Sequence, residues 1–367
     1  MNAPLPRWVD LALLPLLNLL AAFLVSGVIV VILGENPFEA LRLLVFGAFG
    51  YGEAFGYTLY YATNFIFTGL AVALAFHAGL FNIGGEGQAF IGGLGVGLVC
   101  LYLGFLPFVL VLPLAIAAGA LFGGFWGFVP GWLQAKRGSH IVITTIMFNF
   151  IASAIMTYLM VNVLIRPGQA SPESRVFAEH TWLPQLHDLA ARIGLDLPAS
   201  PLNLAFVIGL VCCVLVWLYI WHTRAGYALR VVGQNEAAAV YGGIRPARVI
   251  MVAMALSGAL AAGVGLNEIM GAQHRLILGF TGGFGFVGIA VALMGRSHPL
   301  GIVLAAVLFG ALYQGGAELA FDMPKVSRDL VVVIQGLVIL FCGALENMFR
   351  PALAALFRPR EIEAAVA

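Results

Sequence analysis

The sequence predicts an all-α polytopic membrane protein. It has about ten transmembrane segments, an inverted-topology repeat of five plus five, and both termini in the cytoplasm. Three observations carry this prediction. The chain is 62% hydrophobic and only 10% charged over 367 residues, with a mean hydropathy of +1.00. Its apolar runs approach the 20 residues a helix needs to cross a bilayer, and they are continuous rather than alternating, which excludes a β-barrel. Its basic residues gather in alternate loops, which orients the segments.

Taken in order, the segments fall near 11–33, 57–76, 88–103, 108–129, 143–165, 202–221, 249–266, 284–294, 300–314 and 330–349. The first run is too long for a signal-peptide core and lacks a small-residue cleavage site, so it reads as a retained helix with Arg7 inside. The runs 284–294 and 300–314 are short for full spans and read as broken or re-entrant pieces. Lys136 and Arg137, then Arg224, Arg230, Arg245 and Arg248, then Arg296, and finally Arg350, Arg358 and Arg360 all fall on the side of the amino terminus. The stretch 166–201 has no such basic excess and reads as an extracytoplasmic loop, with Trp182, Leu183, Leu186 and Leu189 suggesting a small surface helix. The chain is a single transmembrane domain over 1–367, with a first repeat at 11–165 and a second at 202–349. An echo between Gly84–Phe90 and Gly282–Gly288 lies five segments apart, and an odd offset gives two halves of opposite orientation.

The cytoplasmic stretch 222–248 has a helix of its own. Asn235 caps it, Glu236 complements the positive end of its dipole, Ala237 to Val240 propagate it, and Gly242-Gly243 end it. A short, well-marked helix on a membrane protein reads as a docking element, formed by Gly233, Gln234, Asn235, Glu236, Ala237, Ala238 and Tyr241. The plainer reading is an ordinary basic loop.

The chemistry-bearing stretch within the apolar body is His77 to Gln88. Polar groups near membrane depth need partners or a wet cavity. Asn82, Glu86 and Gln88 therefore line a solute path, or Glu86 caps a helix N-terminus, and both can hold together. Gly279 to Phe286 mixes flexible backbone with rings. Phe284 and Phe286 either stack on a solute ring or pack between close helices. Asn64, Thr144, Thr145 and Asn149 offer neutral hydrogen bonds inside helices, although such groups often bond their own backbone. Gly119, Gly123, Gly124 and Gly127 have the spacing of close helix packing. The four cysteines lie in apolar runs as packing residues, the histidines show no ligand pairing, and no nucleotide-binding loop surrounds either lysine. No catalytic or metal site is expected.

These motifs carry a resemblance. Gly79-Leu80-Phe81-Asn82-Ile83-Gly84-Gly85-Glu86-Gly87-Gln88, the loop Gly226 to Ala238 with Gly243-Ile244, the run Ser257 to Gly263 and the segment Gly283 to Gly295 resemble ABC-importer permeases of the nucleoside, simple-sugar and branched-chain amino acid family. The resemblance spans about residues 10 to 350. The Asn-Ile-Gly-Gly-Glu-Gly-Gln form is most similar to the nucleoside branch, and the Asp-Leu-Ser motif usual in ribose permeases is absent. The resemblance implies a translocation subunit of a bacterial inner membrane, with no enzymatic activity and no cofactor of its own. Its partners would be a cytoplasmic ATPase carrying ATP-Mg, a second permease (a different chain favoured, a second copy the alternative) and an extracytoplasmic solute-binding lipoprotein. Membrane lipid surrounds it, and nucleic acid is not a partner. A simple-sugar permease is the runner-up. An ion-coupled secondary transporter would more often show midplane charges, and would leave the docking loop unexplained.

Overall fold

A computed structural model describes residues 6, 9, 13–166, 168–323, 325, 326, 328–341 and 348–356. Arg7, Arg358, Arg360 and Cys342, and the ends of the first and last segments, lie outside the described residues. Regular structure among the described residues is helical, apart from two isolated antiparallel bridges, Glu173 with Ile277 and Gln185 with Asn203. The helices run α1 Leu14–Ile32, α2 Pro37–Phe49, α3 Gly52–His77, α4 Gly85–Tyr102, α5 Phe108–Arg137, α6 Ile141–Asn162, α7 Leu186–Ala191 and α8 Ala205–His222. They continue with α9 Arg224–Gln234, α10 Glu236–Tyr241, α11 Pro246–Ala261, the single turn α12 Gly263–Gly265, α13 Phe284–Met294, α14 Pro299–Asp322, α15 Arg328–Ile339 and α16 Arg350–Leu356. A π-helical turn, Leu266–Gln273, extends α12.

Among the described residues, seven helical stretches are long and apolar enough to cross a membrane: α1, α3, α5, α6, α8, Pro246–Gln273 and α14. α13 and α15 are shorter apolar helices. The 300–314 segment was expected to be short, but α14 spans 24 residues. Gln314 and Glu318 interrupt the apolar run that defined its expected end, whereas helical hydrogen bonding carries on through them. The short helix expected within 166–201 is α7. Trp182 and Leu183 precede it, and Leu183 is buried.

The chain divides into two compact units, one of residues 1–47 with 315–367 and one of residues 48–314. In the first, α1 packs on α15, Leu14 clusters with Val9 and Leu353, and Lys325 pairs with Glu35 at 3.3 Å.

The second unit is built around α3. Every residue from Ala62 to Ala75 is buried, and 83% of the apolar window of α3 is enclosed, against 22% to 28% in α5, α6 and α8. α3 is therefore the hub, and the other three leave most of their surface exposed. Small residues bring the helices around it together. Gly123 lies against the Gly258 carbonyl and Gly127 against that of Met254, so α5 and α11 meet backbone to backbone. Apolar side chains gain little by leaving lipid for one another, and such close approach supplies the packing that holds membrane helices. α5 ends cleanly: Lys136 and Arg137 occupy its last turn, and Gly138 follows at φ +69°, the left-handed conformation that glycine adopts most readily.

Candidate functional site

Two breaks in helix define the core of the second unit. The first, residues 78–84, separates α3 from α4. The second, residues 274–283, separates the π-helical turn from α13. Gly79 takes φ +73°, and Gly282 and Gly283 take +51° and +84°, so glycine lets the chain turn sharply in both places. The two breaks bring the N-terminus of α4 against that of α13. Two such ends carry unpaired N–H groups and like partial charges, which calls for an acceptor between them.

Glu86 supplies it. Its Oε1 accepts from Thr281 Oγ1 at 2.5 Å and from Gly283 N at 3.0 Å, and its Oε2 accepts from Gly285 N at 2.8 Å. The carboxylate thus caps α13 from the first turn of α4. Gly285 has no room for a side chain because the Glu86 main chain lies against it.

Asn82 and Gln88 brace the first break. Asn82 Nδ2 donates to Gln88 Oε1 at 2.9 Å and to Ser257 Oγ at 2.8 Å, while Asn82 Oδ1 accepts from Gly84 N at 2.8 Å. Ser257 Oγ in turn donates to Ala71 O at 2.6 Å. Asn149, on α6, accepts from Gly87 N and donates to Ile83 O, both at 2.9 Å. Thr145 lies nearby with its hydroxyl bonded to Ile141 O of its own helix.

Asn64 belongs to a separate network. Its Nδ2 donates to Glu268 Oε1 at 2.6 Å, and its Oδ1 accepts from Asn267 Nδ2 at 3.0 Å. Asn267 Oδ1 accepts from Asn203 Nδ2 at 3.0 Å. Sequence reasoning missed Glu268 and Asn267, since the seventh segment was ended at residue 266, and it passed over Asn203 at the start of the sixth. The apolar spacing Leu266, Ile269, Met270 runs on past that end and is the signal that could have kept the two polar residues inside the span.

The rings divide. Phe284 is buried edge-on to Phe65, 5.6 Å between centroids, and tilted against Tyr313. Phe286 is 47% exposed. Of the eight side chains proposed from sequence for a solute path, Asn64, Asn82, Glu86, Gln88, Thr145, Asn149 and Phe284 are buried, the polar ones all hydrogen-bonded within the protein. Asn82, Glu86, Gln88, Thr145 and Asn149 cluster at the α4 start, with Phe284 across from them, while Asn64 sits in the second network. Among the described residues no three His, Cys, Asp or Glu side chains gather in a metal-binding arrangement.

Each break is tied to a different loop. The second is held by the stretch after α6: Ser174 N donates to Leu276 O at 2.9 Å and Phe177 N to His274 O at 2.8 Å. Arg275 pairs with Glu173 at 3.0 Å, and Trp182 stacks on His274 at 3.8 Å. Burial under this stretch lowers the His274 pKa from its usual range, partly offset by the Gly271 backbone. The first break meets the loop after α8. Thr223 caps α9, its Oγ1 accepting from Gly226 N. Asn235 ends α9 and caps α10, its Oδ1 accepting from Ala238 N at 3.0 Å. Ile244 N returns to Ala239 O past Gly243 at φ +77°, closing the helix as a Schellman-type turn does. Sequence reasoning expected one short helix here. The loop holds two, because α9 is amphipathic and polar enough to read as loop. In α10 only Ala239 is buried, and Tyr241 is 94% exposed.

The family model described as the branched-chain amino acid transport system permease component matches residues 54–343. The chain belongs to this family. The guanosine ABC transporter permease protein NupP of Bacillus subtilis is 34% identical over 90% of this chain and 93% of its own length. The nucleoside ABC transporter permease protein NupB of Lactococcus lactis is 31% identical over 90% of each. The glucose ABC transporter permease protein TsgB13 of Haloferax volcanii is 34% identical over 92% and 88%. The chain is thus a polytopic permease subunit of an ABC transporter, a translocation component rather than an ATPase.

Proposed function

We propose that this permease imports purine or related nucleosides by alternating access. The observation that carries the solute class is the similarity to a guanosine and a nucleoside permease over nine-tenths of the chain. The glucose relative favours a simple sugar as the second reading. In reconstituted vesicles containing the complete transporter, adenosine or guanosine is expected to compete with the transported solute, and ribose or glucose is not. Competition by the sugars alone would replace the nucleoside with a sugar and leave the permease standing.

The subunit works with a cytoplasmic ATPase that binds ATP-Mg and grips α10, with a second, different permease chain, and with a solute-binding lipoprotein outside a bacterial inner membrane. ATP drives the cycle only if it binds one arrangement of the complex more tightly than the other. The polar clusters around Asn82, Glu86, Gln88, Thr145 and Asn149, the Asn64 network, and the Phe284 and Phe286 rings line the path or its hinge as the halves rock. Phe286 is the ring already exposed to meet a base.

Ten crossings with both termini inside result when α4, α13 and α15 join the seven long apolar stretches. Two contact clusters support the sidedness, apart from charge. Residues 77–79, 221, 233 and 297 meet at one end, and 101, 174–177, 274 and 276 meet at the other. Every member of each cluster falls on the side the basic residues assign to it. The meeting of the α4 and α13 starts, each after a glycine-bearing break, fits two repeats of opposite orientation. Glu179, in the stretch after α6, and Gln234, at the end of α9, are both exposed. Glu179→Cys and Gln234→Cys are expected to react with impermeant thiol reagents from opposite faces, and labelling from one face would sink this topology.

A further inference from the structure

We propose that the main-chain contact between Gly79 and Gly233 delivers movement of the α9–α10 loop to the helix junction held by Glu86, making these two glycines positioning residues for transport. The proposal rests on the ABC-permease reading. It names the place where the loop acts on the core.

The contact is backbone on backbone. A Cβ at Gly233 would run into the His77 carbonyl at the end of α3 and stand 2.9 Å from Gly79 N and 3.0 Å from Ala78 C, and one at Gly79 would stand 3.1 Å from Gly233 O. No flexible side chain lies between them to absorb a displacement. Close-packed groups without slack shift together rather than deform, so α9 cannot move far toward α3 without moving the turn at 78–79.

The segment after that turn is braced as a piece. Asn82 is fixed to Gln88 and Ser257, and Asn149 holds both Ile83 O and Gly87 N. The braced piece ends at Glu86, whose carboxylate holds Thr281, Gly283 and Gly285 at the start of α13. The far end of that second break is bonded to Ser174 and Phe177. A continuous series of main-chain contacts and charge-assisted hydrogen bonds thus runs from the loop that carries α10 to the stretch on the opposite side. α9 also packs on α8 and α11. The decisive perturbation is one confined to the Gly79–Gly233 contact.

The experiment uses the complete transporter in nanodiscs, with Leu278→Cys, on the second break and 39% exposed, as a thiol-reactivity reporter. In the otherwise wild-type complex, a non-hydrolysable ATP analogue is expected to change labelling at position 278 severalfold. Gly79→Asn suits the left-handed backbone, where Asn is tolerated, yet it intrudes on Gly233 O. It is expected to lower uptake about tenfold, to abolish the nucleotide response at 278, and to leave ATPase association and basal hydrolysis in place. Gly233→Ala is expected to lower uptake and to abolish the response at 278 in the same way, and the two together no more than either alone. Wild-type uptake and response in Gly79→Asn, or in Gly233→Ala should the first variant not accumulate, overturns the proposal. So does a loss of uptake in Gly79→Asn matched by lost ATPase association, and so does an additive double variant. If the parent complex shows no ATP-dependent uptake at all, the ABC-importer reading itself fails, a result separate from any difference among the variants.

Discussion

Glu86→Ala is expected to abolish measurable uptake while membrane abundance falls by no more than about two- to threefold. The substitution leaves Thr281 Oγ1, Gly283 N and Gly285 N without their acceptor in a buried place. Hydrogen bonds to a charged group are worth about 1.5–3 kcal/mol each, and a buried donor left unpaired costs about 1–3 kcal/mol. Several kilocalories are therefore withdrawn from one junction, enough to release the α13 start from that of α4. The α5–α11 packing, in which Gly123 and Gly258 meet at the main chain, is untouched, so the chain still inserts and folds. Glu86→Gln is the graded companion. Its amide oxygen can still accept from Thr281 and Gly283, but its NH2 group faces Gly285 N, and uptake is expected to fall between wild type and Glu86→Ala. Uptake per inserted molecule, from vesicle transport and quantitative immunoblotting, is the measurement. If uptake and abundance fall in equal proportion, Glu86 is a structural cap and nothing more.

What could be read from the sequence divides according to the distance over which each feature is determined. Asn235 as a cap, Gly242-Gly243 as a stop and the glycine-bearing break at 78–84 are local: each depends on a few adjacent residues and the backbone geometry they allow. The alternative readings of Glu86 were local too, and the cap was among them. That it caps α13 rather than its own helix is a contact across 199 positions, which no local pattern specifies. The pairing of Asn64 with Glu268 is of the same kind, 204 positions apart. The extents of α14 and α9 were misread for a related reason. Hydropathy registers a polar residue as the end of a span, while the helix ends only where its hydrogen bonding does. Gln314 and Glu318 sit inside α14, and Arg224 and Arg230 sit on α9, without breaking either. The two-helix form of the loop matters functionally, since α9 carries Gly233 to the end of α3 while α10 faces away.

Ala238→Arg is expected to reduce ATP-dependent uptake by at least tenfold, with the permease still folded and at wild-type abundance. Six residues, Glu236 to Tyr241, make up α10, far below the 12 to 15 at which an isolated helix becomes even marginal in water. Its ends are fixed internally, by Asn235 Oδ1 at Ala238 N and by Ile244 N at Ala239 O, and Ala239 anchors it to the protein. Ala237, Ala238, Val240 and Tyr241 remain exposed. Ala237 and Ala238 keep the exposed surface slim, and Tyr241 beside them is the kind of rigid, amphipathic ring that anchors protein interfaces. A guanidinium at position 238 would leave the helix intact, since Arg is among the better helix formers, while occupying the space a groove on the ATPase must close over. The effect is therefore expected at the interface and not in the fold. Co-purification of the ATPase should be lost, or hydrolysis should continue without uptake, and the detergent-solubilised permease should keep its melting temperature within a few degrees. Undiminished ATPase binding together with undiminished uptake would remove α10 as the coupling helix. The loop after α8 would then be an ordinary basic loop, and the partner would have to engage elsewhere on the same face.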